Sequence, residues 1–166
     1  MLTVLSLVFP ALMAYAAASD LLTMRIPNKL ILLLVAAFAA FALATGLSPT
    51  AIALHACAGA LMLAACFAMF ALGWMGGGDA KLAAAIALWL GFEPLIDYML
   101  VAAIGGGALT LLILFARGMP VPTVALGWRW FARLHDHRAG VPYGIALAGA
   151  ALLIYPESPV LKALVG

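Results

Sequence analysis

Long apolar runs separated by short polar breaks set the pattern of this chain. The first run is Leu2 to Ser19, closed by Asp20. Arg25-Ile26-Pro27-Asn28-Lys29 separates it from the second, Leu30 to Thr45. Pro27 suits the first turn of that second helix, where its missing N–H costs nothing. An uncharged turn, Gly46 to Thr50, leads into a third run from about Ala51 to Leu72. Within it Ala56, Ala60, Ala64 and Ala68 recur at i, i+4, the kind of small-residue row along which membrane helices approach one another. Gly76-Gly77-Gly78-Asp79-Ala80-Lys81 comes next, then a short run from Lys81 to Leu90 that stops at Gly91. Glu93-Pro94 and Asp97 mark a turn before the fifth run, Ile96 to Ala116, whose Gly105-Gly106-Gly107 reads as a close-packing site. Arg117 to Gly140 is the one long polar connection. Arg129, Arg133 and His137 fall at i, i+4 in it beside Trp128 and Phe131, a pattern compatible with an interfacial amphipathic helix. Pro142 to Tyr155 is the last run, and a short tail ends at Gly166.

Composition turns this pattern into a fold class. The 166 residues are 68% hydrophobic and 8% charged, with a mean hydropathy of +1.23, where soluble domains carry about 25% charged residues. The expectation is an all-α polytopic membrane protein, one membrane-embedded domain over residues 1–166. At about 20 residues per span there is room for a bundle of about six helices and no separate soluble domain. The net charge of +2 is small, and the basic residues do not cluster as a nucleic-acid surface requires. Lipid is the expected environment. Arg25, Lys29, Lys81, Arg117, Arg129, Arg133 and Arg138 fall on one side of the layout, with Glu93, Asp97, Glu157 and Lys162 on the other. The positive-inside rule makes the first side cytoplasmic. Both termini then lie outside, and Asp20 and Asp79 share the cytoplasmic face. Ala16-Ala17-Ala18 imitates a signal-peptidase site, but without a basic start the first run reads as a retained helix.

Smaller signals read structurally. Cys57 and Cys66 lie on opposite faces of one helix and read as packing residues. His55 reads as interfacial, and Trp74, Trp89, Tyr98 and Tyr155 as aromatic belts near span ends. His135-Asp136-His137 reads as a solvated loop, so no metal or other cofactor is expected. Ser19 has no histidine placed to activate it.

Candidate chemistry concentrates at Asp20 and Asp79. An ionisable group at membrane depth costs roughly 2.5–3.5 kcal/mol on insertion scales, so one retained there is a functional candidate. A run of about 12 residues after Gly78 makes a helix only about 18 Å long, which sets Asp79 below the membrane surface or thins the bilayer locally. Gly76, Gly77 and Gly78 leave the backbone open to positive φ and to close approach by a stretched substrate. Two carboxylates facing each other in a low-dielectric site hold one proton between them. The ionised member then activates water and the protonated member donates to a peptide carbonyl. Lys81 biases which aspartate ionises, or anchors to headgroups. Sequence alone does not bring the two aspartates together.

At these residues the chain resembles a known family. Gly76-x-Gly78-Asp79, with Lys81 two residues on, looks like the GxGD motif of intramembrane aspartyl proteases. Asp20 followed by Arg25-Ile26-Pro27-Asn28 looks like the first aspartate motif of the type IV prepilin peptidases. Val141-Pro142-Tyr143-Gly144-Ile145-Ala146 resembles the segment that opens the last helix in that family. The short length resembles the compact CpaA/TadV-type members that serve Flp-type tight-adherence pili. The resemblance implies a bundle of about six membrane helices in the bacterial inner membrane. It implies removal of a basic leader from prepilins and pseudopilins, with Asp20 and Asp79 as catalytic pair. Gly76, Gly78 and Lys81 belong to the second motif, Pro27 and Asn28 to the first. Longer members carry an N-terminal region with paired cysteines, associated with zinc and N-methylation. No CxxC occurs here, so methylation is not expected.

Two other classes stand beside this. Intramembrane carboxylates also mark ion relays in transporters, and a non-catalytic pilus-assembly subunit uses such aspartates only to cap helices. Neither mid-span acids nor an internal repeat supports transport, and an assembly subunit tolerates Asp79→Asn.

Overall fold

The computed structural model describes residues 2–120, 127–137 and 139–165. Arg138, counted above among the basic residues, and 121–126 of the polar connection lie outside the described residues. The fold is all-helical: α1 (Leu2–Thr23), α2 (Asn28–Thr45), α3 (Pro49–Ala71), α4 (Gly77–Leu90), α5 (Leu95–Arg117), α6 (Arg129–His135), α7 (Gly144–Ile154) and α8 (Pro159–Val165), with a 3₁₀ turn at Tyr155–Glu157. Three of them, α2, α3 and α5, are long and apolar enough to cross a membrane; Leu7–Thr23 and Gly144–Glu157 are shorter apolar helices. Leu43, Ile104, Leu111, Phe115 and Leu153 are among many large apolar side chains left exposed, as a polytopic bundle leaves its lipid-facing side.

Several helix ends differ from the sequence expectation. Asp20 does not close α1, which continues to Thr23. The Met24 N–H still bonds the Asp20 carbonyl at 2.7 Å, and the turn comes at Met24, with φ 51°. α2 begins two residues earlier than Leu30, with Pro27 outside it at the N-cap. α3 begins at Pro49, because the Ser48 hydroxyl caps it by accepting the Ala51 N–H at 3.2 Å and proline suits the first helical position. α4 begins at Gly77 rather than Lys81, so Asp79 sits in its first turn. The expected tail contains α8, capped by Ser158 Oγ accepting the Leu161 N–H at 3.2 Å, with Val160 fully buried.

The core is built around α4. Its 14 residues make a rod of about 21 Å, short against a hydrocarbon layer of about 30 Å. From Ala80 to Leu90 all but Lys81 and Leu88 are buried, since α3 runs along it, with α2, α7 and α8 against its other sides. A helix apolar all round belongs inside, and its alanines let neighbours come close. The α3 row that exploits this is not the one expected from spacing. Ala56, Ala60, Ala64 and Ala68 are exposed, Ala56 and Ala60 lining a groove formed by α2, α3 and α4. His55, Ala58, Gly59, Met62 and Cys66 pack instead. A Cβ on Gly59 would stand 3.2 Å from the Ala84 carbonyl oxygen, so backbone meets backbone there. Cys66 is buried as expected, while Cys57 is exposed.

At the C-terminal end of α4, residues expected at the membrane interface are core. Trp89, Tyr98 and Tyr155 are buried; only Trp74 is exposed. Trp89 packs at a tilt against Phe9, at a centroid distance of 5.1 Å, and against Phe41 at 5.7 Å. Its indole N–H donates to the Leu34 carbonyl at 3.0 Å. His55 is likewise buried, its Nδ1 2.8 Å from the Leu88 carbonyl oxygen. In so apolar a chain an aromatic near a span end has two apolar destinations, lipid and core, and spacing does not choose between them.

Candidate active site

A cavity of about 860 Å³ opens at the other end of α4. Its walls come from the end of α1, the link to α2, the end of α3, the glycine stretch, the start of α4 and the segment before α7. Asp20 and Asp79 both line it, with Gly76, Gly77, Gly78, Arg25, Ile26 and Tyr143. Two acids far apart in the sequence thus face one space.

Each carboxylate lies at a helix start. Asp20 is 5% exposed, and its Oδ2 accepts the Gly144 N–H at 2.7 Å. Gly144 is the first residue of α7, so the positive end of that helix faces the carboxylate. Asp79 occupies the third position of α4 and folds back over Gly76, where an added Cβ would stand 2.9 Å from its Oδ2.

The glycines serve close approach rather than positive φ. Among the described glycines positive φ occurs at Gly46, Gly73 and Gly91, not at 76–78. A Cβ on Gly78 would come 3.4 Å from Ile26 Cβ, and one on Gly144 would come 3.0 Å from Ile26 Cδ1. Ile26 therefore wedges between the starts of α4 and α7. Its own segment is fixed by the Ser19 hydroxyl donating to the Arg25 carbonyl at 2.9 Å, joined by Thr23 Oγ1 at 3.2 Å.

The model of the type IV leader peptidase family matches residues 7–115. The chain belongs to the type IV leader peptidase family. It is thereby a peptidase of prepilin-type substrates and, with its apolar helices, an inner-membrane protein. No curated protein and no solved structure matches the chain. The family match takes in Asp20 and Asp79 and stops short of Gly144, so the leader peptidase holds Asp20 from beyond the matched stretch.

Not every residue singled out by motif enters the cavity of this leader peptidase. Pro27, Asn28 and Lys81 do not line it. Lys81 Nζ instead donates to Asn28 Oδ1 at 3.0 Å, tying the second motif to the first from outside. Lys81→Ala is expected to lower cleavage about 10-fold, since an exposed tie of this kind contributes only about 1–2 kcal/mol; a membrane cleavage assay checks it, and complete loss would give Lys81 a larger role. Two contributors carry little signal in the sequence. Ile26 is one apolar residue among many. Arg117 counted only as a cytoplasmic charge, yet its guanidinium donates to the carbonyls of Leu134 (2.7 Å), Ala139 (3.1 Å) and Gly140 (2.9 Å). It thus fastens the polar connection where Gly140 and Val141 join the cavity wall. Gly144 was legible in part, through the Val141 to Ala146 segment.

Proposed function

We propose that this leader peptidase is an aspartic-type endopeptidase that removes the basic leader from Flp-type prepilins and pseudopilins at the cytoplasmic membrane face. The observation that carries the proposal is the meeting of Asp20 and Asp79 in one glycine-walled cavity. Paired carboxylates in a poorly solvated site share a proton. The ionised member takes a proton from water as the oxygen attacks the scissile carbonyl carbon, and the protonated member gives its proton to the carbonyl oxygen. The resulting gem-diol collapses, the C–N bond breaks, and the proton taken from water goes to the departing amine. No bond to the enzyme forms. Gly76 to Gly78 leave room for an extended substrate backbone beside the acids, and Met24, Met69, Met75 and Trp74 offer apolar surface to its side chains. The basic residues beside Asp20 and Asp79 in the sequence support the cytoplasmic orientation, with both termini outside and residues 1–166 acting as one membrane domain.

The test is co-expression with a small Flp-type prepilin and, separately, with a longer type IV prepilin. The product is read by mass on a gel and by mass spectrometry of the new N-terminus. Cleavage of the Flp-type chain, with an unmethylated N-terminus and no effect of chelator, is expected. Cleavage of the longer prepilin alone would remove the Flp assignment. A methylated product would overturn the expectation of proteolysis without methyl transfer.

A further inference from the structure

The glycine triplet of α5 is uneven in its surroundings. Gly105 and Gly107 are exposed, and a Cβ on either would meet nothing within 4 Å. Gly106 is buried, and a Cβ there would fall on the ring and hydroxyl of Tyr143. The notch at 106 thus admits an aromatic ring that any side chain would evict. Tyr143 is the N-cap residue of α7 and forms part of the cavity wall. The residue after it, Gly144, makes the 2.7 Å hydrogen bond to Asp20. Three helices are linked in this way: the notch on α5 seats the ring, the ring fixes the start of α7, and the start of α7 holds the carboxylate on α1.

We infer that Gly106 is a positioning residue for Asp20, acting through the seat it provides for Tyr143 and the Gly144 N–H. The inference rests on the reading of Asp20 as a catalytic carboxylate. If the ring cannot enter the notch, it must turn into the cavity or push the start of α7 outward, and either movement carries the Gly144 N–H away from Asp20 Oδ2. Misplacement of a reacting group by about 1 Å costs on the order of 100-fold in rate. Arg25, Asp79 and Tyr143 are the other titratable groups lining this cavity, and none of them is displaced by a methyl group at 105 or 107.

The experiment is a cleavage time course with membranes holding equal amounts of inserted enzyme, at varied prepilin concentration. Wild type, Asp20→Asn, Gly105→Ala, Gly106→Ala, Gly107→Ala, Tyr143→Ala and the Gly106→Ala/Tyr143→Ala double variant are compared. Gly106→Ala is expected to lower kcat by about 10–100-fold with KM within about twofold, while Gly105→Ala and Gly107→Ala match wild type. In the Tyr143→Ala background, where the ring is gone, the added methyl at 106 is expected to cost nothing further. Wild-type kcat in Gly106→Ala would overturn the inference. So would an equal fall at 105 and 107, a rise in KM alone, or an additive loss in the double variant. Failure of wild type to cut any prepilin would overturn the leader-peptidase mechanism itself, and the inference with it, which separates the two failures.

Discussion

Asp79→Asn is expected to abolish leader cleavage, by at least about 10³-fold, in a protein that still inserts and accumulates normally. Asparagine keeps the size of the side chain and its ability to sit over Gly76, where Asp79 Oδ2 now lies within 2.9 Å of the space a Cβ would take. It removes the proton exchange on which water activation depends. The same holds for Asp20→Asn, with a difference in cause. Asp20 accepts the Gly144 N–H, and an amide turned the wrong way would present N–H to N–H, so some loss of packing at α7 accompanies the loss of chemistry. Asp79→Asn is therefore the cleaner variant. A gel assay on membranes with immunodetected enzyme decides it: cleavage at the wild-type rate by Asp79→Asn would remove the dyad mechanism.

The second large effect is expected at Gly144. A Cβ there would stand 2.8 Å from Asp20 Oδ2, 3.1 Å from Asp20 Cβ and 3.0 Å from Ile26 Cδ1. Asp20 is 5% exposed, so its carboxylate has little free space to retreat into, and Ile26 is already wedged against Gly78. Something must move at the reacting group, and displacement by about 1 Å costs on the order of 100-fold. Gly144→Ala is expected to lose that much activity. Gly149→Ala, on the same helix where a Cβ meets nothing within 4 Å, is expected to keep it. Equal activity of the two variants would show that the Asp20 seat tolerates rearrangement.

How far the sequence led depended on the kind of signal. Polar residues in an apolar chain are costly, so Asp20 and Asp79 stood out, while the segment through Gly144 was legible only through its resemblance, and the structure gathers all three around one cavity. The order of the long apolar helices followed from the runs of hydrophobic residues, while α8 was left unread in the tail. Which face of each helix packs did not follow, because lipid is as apolar as leucine. Hydrophobicity therefore falls silent on whether Ala60 or Gly59 faces a neighbour, and on whether Trp89 meets lipid or core. Helix ends were misplaced by two to four residues at Asp20, Leu30 and Lys81, because the helices run on into the polar breaks, α1 as far as the Met24 turn. The Lys81–Asn28 tie and the Arg117 clasp join residues 53 and 17–23 positions apart, beyond any local pattern.

The encasement of α4 has a consequence for the membrane around it. Helices with lipid on one side answer a thicker or thinner bilayer by tilting. α4 is surrounded by protein along nearly its whole length, apart from Lys81 and the edge at Leu88, and has almost no such surface to respond with. The depth of Asp79 is then set by its protein neighbours, while α3 and α5, with their exposed apolar faces, absorb the mismatch. Turnover in vesicles of short and long acyl chains is accordingly expected to stay within about threefold, and a steep dependence would mean that the bilayer reaches the carboxylate after all.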